Sequence, residues 1–341
     1  MRNTFATLLA LSTLLQTHPA AAWDYEGHRA VNELALAALP ENFPAFVRTP
    51  AARERIAFLA GEPDRWRNTD DLSLAHGSGP DHYFDLEQLA DYGLNAQSLP
   101  MFRYDFAARL ALARAAHPEH FAPIDAAKNK DHTRELVGFL PWTIVEYQAR
   151  LKSGFAYLKA FENHGGTPEE IANAQANIIY VMGVMGHFVG DGSQPLHVTI
   201  HHHGWSGANL HGYATNFSFH AWIDGGFFKK TGGIRVERLV GKIRPAKIVG
   251  DPLKPGDLFA QVMGYLGGTR QQVEPLYQLE KAHQLTPVNG RATAGREFLD
   301  AQLVRGGQML GDLWFSAWQQ ATEDSYLIRQ LQGRSEAPGE E

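Results

Sequence analysis

Histidine and aspartate recur at one spacing in this chain. In His187-Phe-Val-Gly-Asp191-Gly-Ser-Gln-Pro-Leu-His197, His187 and Asp191 are four residues apart, so on a helix they project from one face and can grip one metal ion. Pro195 breaks that helix. His197 is delivered from the turn beyond it, near enough to serve the same metal cluster without being confined to the same ion. His220 and Asp224, in His-Ala-Trp-Ile-Asp, repeat the pair. One such pair alone usually marks a surface helix pair or a satisfied core histidine rather than a metal site. Two copies in a chain with sixteen histidines and no cysteine favour the metal reading. Absence of cysteine excludes thiolate zinc sites, iron-sulfur clusters, disulfides and cysteine nucleophiles, so any metal rests on His, Asp, Glu or backbone. Imidazole and carboxylate ligands with vacant positions suit catalytic rather than structural metal.

The elements that carry these residues read as helical almost throughout, because apolar residues recur at spacings of three and four and long alternating runs are scarce. Eight or nine helices are expected, the clear ones at 27–39, 53–60, 101–116, 140–159, 168–188, 257–283 and 293–332. Loops at 200–217 and 242–255 are candidate site walls. With 44% hydrophobic and 20% charged residues among 341, the chain is globular and long enough for one large domain or two ordinary ones. No repeat or low-complexity linker divides it, which favours one all-α domain over 23–332, a helical bundle with long loops, followed by a flexible tail at 333–341.

Residues 1–22 read as an export signal: Arg2 is the charged start, 5–15 the apolar run, and Ala20-Ala21-Ala22 the small residues for cleavage before Trp23. The run is too short to span a bilayer, so a secreted or periplasmic product is expected. The formal charge of −6 argues against gripping duplex DNA through a broad basic surface.

The strings HFVGDGSQPLH and HAWID, together with a processed chain opening Trp23-Asp-Tyr-Glu-Gly-His28, resemble the trinuclear-zinc nucleases of the S-one and P-one type, which share a fold with bacterial zinc phospholipase C. The resemblance extends through Asp64 in Glu-Pro-Asp-Arg-Trp-Arg, His82 in Asp-His-Tyr-Phe-Asp, and a final helix containing Leu303-Val-Arg-Gly-Gly-Gln-Met-Leu310. It implies a phospholipase C/nuclease-like bundle with three zinc ions per chain. Asp64, His82, His187 and Asp191 would hold the first; Asp191 would bridge to a second held by His28 and by the free amine and carbonyl of Trp23; His197, His220 and Asp224 would hold the third. It further implies that Asp64 orients a nucleophilic water, that Arg67 faces the scissile phosphate, and that Asn209 in Gly-Ala-Asn recognises a base, with Trp205, Phe217 and Phe219 near it as stacking candidates.

Removing residues 1–22 deletes Arg2, leaving a charge of about −7, which three divalent ions bring to about −1. Attraction for phosphate is then local to the cluster, which favours single-stranded RNA or DNA, or nucleotides, over a long duplex. A phospholipid head group is the alternative substrate, and a zinc-stabilised binding protein without turnover is the alternative from another class. No stable protein partner is expected. The run His201-His202-His203 reads as a solvated loop by which zinc could reach the mouth, His211 is the rival to His220 as ligand, and 87–137 reads as an insertion that could reshape the cleft.

Overall fold

The computed structural model describes residues 23–336, so both the export-signal reading and residues 337–341 lie outside it. The described chain is all-α. Its helices are α1 Tyr25–Ala38, α2 Pro50–Leu59, α3 Glu62–Arg67, α4 Leu72–Ser78, α5 Arg103–Ala116, α6 Leu140–Asn163 and α7 Pro168–Asp191. After the loop come α8 Phe219–Ala221, a π-helical turn Trp222–Gly226, and α9 Phe227–Lys230. Then follow α10 Val236–Leu239, α11 Asp257–Arg270, α12 Val273–Lys281, α13 Thr293–Gln320 and α14 Ser325–Glu336. Among the described residues the only strand-like pairing is an isolated bridge between Val288 and Arg291, and no helix is long and apolar enough to cross a membrane.

α7 is the centre, with α1, α2, α6 and α13 packed around it. It starts at a capping box, Thr167 accepting from the Glu170 backbone while Glu170 reaches back to the Thr167 N–H. From Met182 to Asp191 every residue is buried. Such a run is hydrophobic all round, as a fully enclosed helix must be, and His187 and Asp191 are its polar exceptions. Gly186 lets α1 close in: a Cβ there would lie 1.6 Å from Asn32 Oδ1. Asn32 in turn donates to the carbonyls of Ile56 (2.8 Å) and Gly183 (3.0 Å), tying α1, α2 and α7 together.

Two long helices expected from periodicity are each broken. The 257–283 segment divides at 271–272 into α11 and α12, and 293–332 divides at 321–324. At the second break Lys159 of α6 donates to the carbonyls of Trp318 (3.0 Å) and Ala321 (2.7 Å), satisfying the C-terminal end of α13 from outside. Asp324 then accepts from Leu327 N–H at 2.7 Å and starts α14. That helix continues to Glu336, so the boundary drawn at 332 falls inside it.

Candidate metal centre

Three groups of His and Asp have ligand atoms close enough to hold a metal ion in the middle of the bundle: His28 with His187 and Asp191; Asp64 with His82 and His187; and His197 with His220 and Asp224. All are buried except Asp64, which is half-buried. The C-terminal end of α7 supplies His187 and Asp191, α1 supplies His28, and α3 supplies Asp64. His82 ends a short 3₁₀ turn, Gly79–His82, and His197 another, Pro195–His197.

Asp191 joins the groups. Its Oδ2 lies 3.1 Å from His82 Nδ1 and 3.4 Å from His187 Nε2, while Oδ1 lies 3.5 Å from His28 Nε2 and 3.7 Å from His197 Nδ1. The two oxygens of one carboxylate thus face different imidazoles. His187 Nε2 is 2.9 Å from His82 Nδ1, and His220 Nε2 is 3.1 Å from His197 Nε2. Apart from that to His197 Nδ1, these separations of 2.9–3.5 Å bracket the edge of about 3.4 Å between ligands of a tetrahedral zinc ion.

The imidazoles are aimed from behind. His187 Nδ1 meets the carbonyl of Ala60 and His197 Nδ1 that of His82, each at 2.7 Å, which leaves both Nε2 atoms as bare acceptors. Gln194 does the same for a carboxylate: its amide donates to Asp224 Oδ1 at 2.6 Å, leaving Oδ2 to face His220 Nε2 at 3.4 Å. His28 Nδ1 and Nε2, His82 Nε2, Asp191 Oδ1, His220 Nδ1 and Asp224 Oδ2 are all buried without a hydrogen bond. Uncompensated polar atoms at this density are costly in a protein interior, and they belong to the residues expected to ligate. The donor set therefore fits a metal ion.

His220 and Asp224 are four apart, but His220 lies on α8 and Asp224 on the π-helical turn that follows it. Gly225 lets another element close in on that turn. A Cβ there would lie 2.0 Å from Asp24 Oδ2, and Asp24 N–H donates to the Asp224 carbonyl at 3.1 Å, so the start of α1 is laid directly against this turn. Trp23, fully buried, donates its indole N–H to Gly190 O (3.1 Å) and lies 3.2 Å from Ser193 Oγ.

Asp64 and Arg67 mark the open edge of the cluster. The side chains are 16% and 15% exposed, and Arg67 Nε is 2.9 Å from Asp64 Oδ1, a pairing one turn apart on α3. Arg67 is therefore no free surface arginine.

Asn209 is half-buried and closes its own loop: Oδ1 accepts from Tyr213 N–H and Nδ2 donates to Tyr213 O, both at 2.8 Å. Phe219 is buried, and Trp205 stacks on His201 with ring centroids 3.9 Å apart, so both serve packing. Phe217 alone of the three is largely exposed, at 63%. The His201-His202-His203 run is not a solvated loop, because His201 is buried and His202 and His203 are half-buried. His211 stands apart from the centre, its Nε2 3.9 Å from Glu274. Gln194 and the aiming carbonyls had not been singled out. Gln194 lies within the ligand-bearing string, but backbone carbonyls leave no mark in sequence.

Burial pulls the imidazoles of His28, His82, His197 and His220 well below their ordinary range, and that of His187 to about 4. It pushes the carboxyls of Asp191 and Asp224 well up. Neutral imidazole is the ligating form. For metal-free protein the imidazoles give a direction. Below pH 6.5, their ordinary value, the unfolded chain takes up protons that the folded chain refuses, so stability falls as pH drops towards 4. Raised carboxyls at Glu33, Asp81, Asp85, Glu162, Asp191, Asp224 and Asp300 act oppositely, while the lowered imidazoles of His201, His202 and His203 act in the same direction as the five. Denaturant melts of chelated protein from pH 7 to 4.5 check this, and a midpoint constant across that range contradicts it.

Set against protein-family models and against curated proteins, the chain matches none of them, and the geometry of its buried His and Asp clusters carries the functional reading.

Proposed function

We propose that this chain is an exported zinc-dependent phosphodiesterase of the nuclease type it resembles, hydrolysing single-stranded nucleic acid or nucleotides with water as nucleophile. The observation that carries the reading is the placement of Asp191, whose two oxygens face separate imidazole sets beside a third His/Asp group. Asp64, His82, His187 and Asp191 would hold one zinc ion, Asp191 with His28 and the amine and carbonyl of Trp23 a second, and His197, His220 and Asp224 a third. Zinc held there would supply an activated water near neutral pH and positive charge to offset the departing oxygen.

The protein's own groups supply position. Asp64, at the open edge, can accept a hydrogen bond from the attacking water and orient it. Arg67 offers a planar guanidinium fork suited to two phosphate oxygens. Its present anionic partner is Asp64, so an arriving phosphate exchanges one anion for another. Phe217, stacked on His203 at 4.0 Å, presents an exposed ring beside the third group, since His203 lies 5.4 Å from His220. Base stacking on such a ring contributes about 1–3 kcal/mol without sequence preference.

One observation favours a second reading, a phospholipase C. Leu74, Phe102 and Tyr104, respectively 43%, 61% and 85% exposed, line a cavity of about 640 Å³ with Trp66 and Phe188. The Phe188 ring lies 5.4 Å from that of His82. Asp81, Arg103, Glu146 and Arg150 line it too, so exposed apolar rings stand beside charged groups, an arrangement that suits a lipid surface with its head groups. Zinc-loaded protein assayed on single-stranded RNA, single-stranded DNA and phosphatidylcholine vesicles separates the readings. Chelator-sensitive cleavage of nucleic acid supports the first, cleavage of lipid alone the second. Full zinc content with neither activity favours a non-catalytic binding protein.

The third group carries its own prediction. His220→Ala should cost one zinc ion per chain and leave the others in place, whereas His211→Ala should cost none, its ring being 63% exposed and remote from the centre. Elemental analysis of both variants reads the result directly; loss of zinc on changing His211 instead would overturn the assignment.

A further inference from the structure

We propose that His117, Glu119 and His120 form a separate, solvent-facing site for a divalent transition-metal ion such as zinc. The three lie in the segment 87–137, where α5 ends at Ala116 and a short 3₁₀ turn, Pro118–His120, follows. Pro118 pre-sets the turn through its fixed φ, and backbone bonds from His120 N–H to His117 O (3.1 Å) and from Phe121 N–H to Pro118 O (3.2 Å) close it. The result brings three ligand side chains that are near in sequence to one side of the turn.

Their donor atoms lie within 4.8 Å of one another. Glu119 Oε1 is 3.3 Å from His117 Nδ1 and 3.8 Å from His120 Nε2, again bracketing the edge of about 3.4 Å in a tetrahedral zinc site. The ring centroids of His117 and His120 are 5.1 Å apart. In the buried centre the corresponding separations are 4.8 Å for His82 and His187 and 5.0 Å for His197 and His220. The surface rings are nearly parallel, at 11°, rather than edge-on. Stacked rings do not aim their in-plane lone pairs at one point, so both must turn about their side-chain bonds to share an ion; each is more than half exposed, which leaves them room to do so.

A second observation points to a ligand. His120 Nδ1 meets the backbone carbonyl of Asp91 at 3.4 Å. With that nitrogen as donor, Nε2 would be left as the acceptor facing Glu119; the contact is longer and more exposed than the 2.7 Å bonds by which Ala60 O and His82 O orient His187 and His197. The adjoining Phe121 ring packs 4.6 Å from Tyr92 and lies under the Arg114 guanidinium, so the turn is held in place from its far side. Two imidazoles and one carboxylate leave a position for water, and exposure weakens the electrostatic gain, so this site binds zinc less tightly than the buried centre. An ion here would also tie the end of α5, through His120, to the 3₁₀ segment Leu86–Tyr92 that contains Asp91.

The test is a calorimetric zinc titration of full-length processed protein whose tighter sites have first been filled by dialysis against buffered low free zinc. The parent should take up one further equivalent. His117→Ala/His120→Ala should lose that equivalent entirely, and Glu119→Gln should bind it at least tenfold more weakly, since an amide carries no charge. All three side chains are exposed, and thermal melts of the dialysed proteins should coincide. An unchanged isotherm in the double variant overturns the proposal, as does the absence of a further equivalent in the parent. The readout is a difference between parent and variants, so it stands whether or not the buried centre is catalytic; hydrolysis assays on the same samples report on that separately.

Discussion

Asp191→Ala should remove two zinc ions together and lower phosphodiester hydrolysis by about a thousandfold or more. No other side chain in the centre faces so many ligands: Asp191 is within 3.7 Å of imidazole nitrogens from His28, His82, His187 and His197. If Asp191 is shared as proposed, its loss would leave both neighbouring ions short of a ligand. Lewis-acid stabilisation of a phosphoryl transition state contributes several kcal/mol, and about 1.4 kcal/mol is a tenfold change in rate, which gives the thousandfold figure. The helical core around α7 should keep the fold, because the apolar contacts of α1, α6 and α13 do not involve this side chain. Elemental analysis, far-ultraviolet circular dichroism and a single-stranded RNA cleavage assay on one preparation check the three parts. A folded variant that keeps its full zinc complement would show that Asp191 is not the bridge.

One residue added before Trp23 should cost a single zinc ion and lower hydrolysis by orders of magnitude while leaving stability nearly unchanged. The buried indole of Trp23 is anchored to Gly190 O, one residue before Asp191, which holds this residue against the end of α7 where the proposed second ion would sit. Holding that ring in place, an extension converts the α-amine to a peptide nitrogen, which cannot coordinate as an amine does, and moves the amine about 3.5 Å away. Since the amine has an ordinary pKa of about 7.7–8.0, zinc occupancy at this position should also decline as pH falls below that range. Native-terminus protein and a one-residue extension are compared for zinc content and for phosphodiesterase rate. Equal values on both counts would remove Trp23 from the ligand set and with it the chemical meaning given to cleavage after Ala22.

What sequence alone determined is what depends on neighbours a few residues away. Helical periodicity located α1, α2, α5, α6 and α7 closely, because a buried stripe repeats with the pitch of the helix itself. The pairs His187/Asp191 and His220/Asp224 were legible for the same reason, and His197 because Pro195 turns the chain within six residues of Asp191. Periodicity failed where a distant group intervened. Nothing in 293–332 announces that Lys159 will take the carbonyls at the end of α13, so two helices read as one.

Tertiary structure decided how the groups meet. His28, Asp64 and His82 come from segments more than a hundred residues before Asp191; His28 reaches it because Gly186 and Asn32 allow α1 and α7 to approach backbone to side chain, while Asp64 and His82 are brought in by α3 and a separate 3₁₀ turn. It also decided orientation: the Ala60 and His82 carbonyls and the Gln194 amide choose which atom of each ligand faces the centre. Asn209 spent its amide on Tyr213, and His201 was buried against Trp205, outcomes set by loop packing rather than residue type. Sequence can name a ligand when its partner is one helical turn away. Only the packed chain shows which nitrogen points inward, because that depends on carbonyls and glycines far along the chain whose identity carries no chemical signature.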